Sequence, residues 1–196
     1  MAHVSFNARM ASRVWKGQKT ETRRPTPSQP SAVYLHPKKV QGGWQFFEKA
    51  RGGTGYPGAP MKSRYGHVGS LLWVKEPYYV GPGPPNASDL SRRLTGYQGD
   101  LKDLPGQGHD RRTAYQMPRV WARLMVGVRE VAVERLQQIG EVSLKAEGFC
   151  DADDMKAFWN EIYGGTESWG SNPWVWVVKF RLTVRLKPLT LGPSGP

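Results

Sequence analysis

Phe6, Met10 and Val14 recur every four residues with Ala11 alongside, so the N-terminal segment predicts one amphipathic helix ended by Gly17. The apolar, aromatic run SLLWVKEPYYV over 70–80 predicts a strand, broken by GPGPPNAS. Residues 120–136 predict a long strand in which Val126, Val128, Val131 and Val133 change phase once near Arg129 and Glu130, the mark of a bulge. LQQIGEVSLKAEGF predicts a short helical stretch ending at Gly148. DADDMKAFWNEIYGG predicts a helix capped by Asp151 or Asp153 and stopped by Gly164 and Gly165, with Met155, Phe158, Trp159 and Ile162 as its buried stripe. NPWVWVVKFRLTVRL, at 173–185, predicts a closing strand. Long strands with short helices between them argue for an α+β fold. A small mixed barrel with helices at its ends fits better than a doubly wound sheet.

Two stretches, about 25–68 and 81–117, are rich in Pro, Gly and Ser and hold no period, and both predict long irregular loop insertions. The chain's 196 residues then form one domain over 1–187, followed by a disordered tail at 188–196.

The net charge of +12 is one-sided. Residues 1–75 hold 13 lysines and arginines against only Glu21 and Glu48, a charge of +11, which favours a polyanion such as RNA or single-stranded DNA. One cysteine, Cys150, excludes an internal disulfide and fits a cytoplasmic setting. Four scattered histidines give no metal-ligand spacing, no apolar run approaches a membrane span, and the first residues lack a signal-peptide pattern. No phosphate-loop or dinucleotide fingerprint is present, so no nucleotide cofactor or metal is expected.

Candidate chemistry sits first in Lys19-Thr20-Glu21-Thr22-Arg23-Arg24. A helical turn would put Lys19 and Thr22 on one face. A lysine there acts as a base only if burial or the cations Arg23 and Arg24 lower its pKa. A solvated basic turn is the plain alternative. Glu147, just before Gly148, could project into a site or stand exposed on its helix. Glu76, an acid in an apolar strand, fits either a salt bridge to an arginine or a barrel rim. Most aromatic residues lie on strands, which leaves Tyr65 and Trp169, in polar loops, as the base-stacking candidates.

Taken together, GQKTETRRP, YGHVGSLLWVKEPYYV, MPRVWARLMVGVREVAVERLQQI, VSLKAEGF, FWNEIYGG and NPWVWVVKFRL resemble, in order and over about residues 5–185, an ASCH-domain protein of the phage and prophage type. Ser70, the inserted Val120, Lys75 and Pro77 depart from that pattern. The resemblance implies a PUA-like mixed barrel with a cleft between the Lys-Thr-Arg segment and the A-E-G helix. In its G-x-K-T-x-T segment the chain is similar to small ASCH amidohydrolases that cleave N4-acetylcytidine. That similarity implies Thr22 as nucleophile, Lys19 as proton acceptor and donor, and Glu147 as the group that positions Lys19 or water. Arg23 or Arg24 would stabilise an oxyanion or hold an anionic substrate group, and Glu76 and the stacking candidates Tyr65 and Trp169 are taken beside them as further binding residues. The implied substrate is an N4-acylated cytosine nucleoside. The rival expectation is a non-catalytic module that binds RNA or modified DNA, which the +11 segment favours.

Overall fold

Alternating β-branched and aromatic residues build the long strands where the pattern places them. The computed structural model describes residues 1–30, 35–41, 43–48, 60–82, 94–98 and 109–186. In chain order the elements are β1 (His3–Ser5), α1 (Ala8–Trp15), β2 (Glu21–Pro25), β3 (Leu35–Val40), β4 (Gly43–Glu48), β5 (Leu71–Lys75) and β6 (Tyr78–Val80). After these come β7 (Leu94–Tyr97), β8 (Asp110–Arg112), β9 (Leu124–Arg135), α2 (Glu141–Glu147), α3 (Ala152–Ile162) and β10 (Trp174–Arg185). The fold is mixed α+β, and its main element is an open five-stranded sheet in the order β1-β5-β9-β10-β2. No described helix is long and apolar enough to cross a membrane. The predicted tail at 188–196 lies outside the described residues.

The chain divides into two compact units, each assembled from separate segments. The first comprises Met1–Gln18, Leu71–Gly127 and Arg181–Pro196. In it, the Asn7 side chain caps α1 by accepting from the Met10 N–H at 2.9 Å, and Met10, Ala11 and Val14 are buried as predicted. β1 runs parallel to β5, and β5 pairs antiparallel with β9. The 70–80 run is two strands, not one. Pro77 has no N–H to donate to a ladder, and the chain leaves the five-stranded sheet there. β6 continues as the centre of a three-stranded sheet ordered β7-β6-β8. The predicted 81–117 loop therefore contains two strands, around a small core of Tyr78, Val80, Tyr97 and Met117.

The second unit comprises Lys19–Ser70 and Val128–Phe180. Trp174 to Val178 are all buried, and β10 pairs antiparallel with β2, matching Trp176 to Arg24 and Val178 to Thr22. The predicted 25–68 loop also contains structure: β3 and β4 form an antiparallel hairpin, and Phe46 packs on Trp174 with ring centres 4.9 Å apart. Pro37, Lys38 and Lys39 hide the strand period in the sequence. α3 starts on Asp151, whose carboxylate accepts from the Asp154 N–H at 2.8 Å. Met155 and Trp159 are buried, and Phe158 stacks obliquely on Phe149. Ile162 is 50% exposed and so falls outside the predicted stripe. The phase change in β9 is present: Arg129 and Glu130 are both exposed between buried Val128 and Val133.

Candidate active site in the second unit

The site is organised by the C-terminal end of α2, whose last four carbonyls lack partners within the helix. Gly148, at φ 91°, takes the left-handed conformation that lets the chain turn back. The Phe149 and Gly148 N–H groups then bond the Leu144 and Lys145 carbonyls, each at 2.9 Å. The Thr20 N–H takes Ala146 O at 2.8 Å, and the Lys19 ammonium takes Glu147 O at 2.7 Å. All four carbonyls are satisfied, and a cation stands at the negative end of the helix dipole.

The same ammonium bonds the Glu147 carboxylate, Nζ to Oε2, at 2.5 Å. Lys19 and Glu147 are each only 3% exposed. Burial lowers the pKa of Lys19 to about 8, Glu147 opposes that shift, and Arg24 and then Arg23 add to it. The solvated basic turn is therefore excluded, since this lysine is inside the protein.

Arg23 is buried among three carboxylates. Its Nε and Nη2 meet Glu134 Oε1 at 2.9 and 2.7 Å, and its Nη1 meets Glu21 Oε2 at 3.3 Å and Glu147 Oε1 at 3.4 Å. Its donors are thus committed to these acids, which makes it a poor oxyanion donor and a good tether for Glu147. The sequence reading missed Glu134. The signal was there: an acid in the otherwise apolar alternation VAVERL, as Glu76 is in LLWVKE.

Thr22 corrects the helical-turn expectation. Residues 21–25 are a strand, so successive side chains alternate. Glu21 and Arg23 take one face, and Thr22 and Arg24 take the other. Thr22 is 0% exposed, and among the described residues its Oγ1 is the one buried side-chain N or O atom without a hydrogen-bond partner. A buried hydroxyl left unpaired costs about 1–3 kcal/mol. Arg24, half-buried, donates to Arg23 O at 3.2 Å and also hydrogen-bonds Tyr65. Burial raises the pKa of the Tyr65 phenol, and Arg24 opposes that shift.

Of the predicted site residues, Lys19, Glu147 and Arg23 thus meet directly, and Arg24 meets Tyr65. Tyr65 is 3% exposed and is no stacking platform in this state. Trp169 is half-buried, anchored by its N–H to Asn160 Oδ1 at 2.8 Å and by its carbonyl, which accepts from Gln137. Glu76 belongs to the first unit, where both its oxygens are held by Arg123, Nε to Oε1 at 2.8 Å and Nη2 to Oε2 at 2.7 Å. Arg123 is itself covered by Trp15 and Tyr97, its guanidinium carbon 4.6 and 3.9 Å from the ring centres. Glu76 is thus the buried salt-bridge partner of Arg123. The second unit therefore offers a buried lysine that can lose its proton near neutral pH, a carboxylate that orients it, and an unpartnered hydroxyl three residues along the chain. No family model, curated protein or solved structure matches this chain.

Proposed function

We propose that this protein is an ASCH-type amidohydrolase with a PUA-like fold that removes the acyl group from N4-acylated cytosine nucleosides. The observation that carries the reading is the buried, unpartnered Thr22 hydroxyl close in sequence to a buried lysine whose pKa is lowered to about 8. A hydroxyl kept at that energetic cost is accounted for if its partner is supplied by the substrate or by the reactive form of the site.

On this reading Thr22 Oγ attacks the acyl carbonyl, and its proton passes to neutral Lys19. The carbon–nitrogen bond then breaks, the exocyclic amine leaves with the proton from Lys19, and the acyl group remains as an ester on Thr22. Water hydrolyses the ester, regenerating the hydroxyl and releasing a carboxylate. Thr22 faces away from the Arg23 side of β2, so Lys19 must leave Glu147 and the site must rearrange before Nζ reaches Oγ. Glu147 is then a positioning residue, tethered in turn by Arg23. Incubation of the purified protein with N4-acetylcytidine should release cytidine. Lys19→Arg should be severely impaired, because guanidinium cannot serve as a base at neutral pH.

A further inference from the structure

The positive charge is uneven between the two units as well as along the sequence. The first unit's segments hold 14 lysines and arginines against 5 acids, a charge of +9, and the second unit's hold 14 against 11, or +3. Among the described residues, the first unit's only acids are Glu76 and Asp110. Both are engaged, Glu76 by Arg123 and Asp110 by Arg112 at 3.3 Å. Among the described residues, little negative charge is therefore left to offset the unit's cations.

On this unit Tyr115 is 86% exposed, the most exposed large apolar side chain among the described residues. It is supported from beneath. The Lys75 ammonium lies 5.3 Å from the Tyr115 ring centre and 5.4 Å from that of Trp73, and it donates to the Tyr115 carbonyl at 2.6 Å. His3 continues the row, its ring centre 5.4 Å from that of Trp73. An exposed π-face over a cation, on a unit of net positive charge, matches stacked bases joined by phosphates. Among the described residues a protein partner would find few carboxylates to pair with and only one exposed ring, and duplex DNA hides the base faces that Tyr115 would meet.

We propose that Tyr115 and Lys75, backed by the buried Trp73, form a docking surface for single-stranded nucleic acid, with a base stacked on Tyr115 and a phosphate met by Lys75. This inference stands apart from the amidohydrolase reading and shares no residue with it.

The test is fluorescence anisotropy of the full chain with labelled dT12 and rU12, with unlabelled polyphosphate as competitor. Wild type should bind at low salt. Tyr115→Ala should weaken binding roughly 5- to 150-fold while leaving the salt slope unchanged. Lys75→Gln should weaken it and make the log–log slope shallower by roughly 0.7. Tyr115→Trp should keep affinity. Preference for rU12 over dT12 would assign the surface to RNA, and the reverse to single-stranded DNA. Unchanged affinity in Tyr115→Ala, displacement by polyphosphate as effective as by an oligonucleotide, or no wild-type binding at low salt would each overturn the proposal. Because Tyr115 is exposed, its loss leaves the fold intact.

Discussion

Glu147 holds Lys19 twice, through its carboxylate at 2.5 Å and through its own backbone carbonyl at 2.7 Å. One contact is an ion pair and the other a helix cap, so the same residue orients the lysine and ends the helix. The carboxylate raises the lysine's pKa against the stronger effect of burial.

That opposition fixes a direction for Glu147→Gln. An amide can still accept a hydrogen bond but carries no charge, so the Lys19 pKa should fall below about 8. If neutral Lys19 is the base, the rising limb of kcat/KM against pH should move to lower pH in this variant. An unmoved limb would show that Glu147 is only structural.

Lys19 also links stability to pH. Its pKa is about 8 in the folded chain and near 10.5 when solvated, so between those values the unfolded chain binds more protons. Its contribution to stability should therefore rise from about pH 8 toward 10.5 and be flat below. Urea midpoints of wild type relative to Lys19→Gln, measured from pH 7 to 10, should show wild type gaining as pH rises. A constant or shrinking gap would contradict the lowered pKa.

Glu76→Gln separates structure from binding. Removing the charge leaves Arg123 buried against a neutral amide, which should cost about 3–5 kcal/mol of stability. At temperatures where the variant is folded, KM for an acylated nucleoside should be unchanged. A raised KM with unchanged stability would assign Glu76 to the binding site instead.

Much of the fold was legible because its signals are local. The stripe of Met10, Ala11 and Val14, the cap at Asp151 and the left-handed Gly148 each act within a few residues. The phase change at Arg129 and Glu130 is equally local. The missed elements depend on distant partners. The hairpin β3–β4 has Pro and two lysines in one strand and takes its packing from Trp174. β7 and β8 exist because they pair with β6.

In the site, residue types were readable and geometry was not. Lys19 and Glu147 are 128 positions apart, and their pairing follows from how α2 docks beside β2. The facing of Thr22 was misjudged because a polar, basic hexapeptide reads as a turn, while pairing with Val175–Lys179 of β10 makes residues 21–25 a strand. Tyr115 gave no warning at all, since exposure has no signature in a single sequence.

The central claim rests on the Thr22 hydroxyl, and Thr22→Val tests it most directly, because valine keeps the shape and deletes only the unpartnered oxygen. Cytidine release from N4-acetylcytidine and urea denaturation should be measured on wild type and variant together. Wild type is expected to release cytidine, and the variant to release none while being as stable or about 1 kcal/mol more stable. Near-normal release by Thr22→Val, or none by the wild type, would contradict the account.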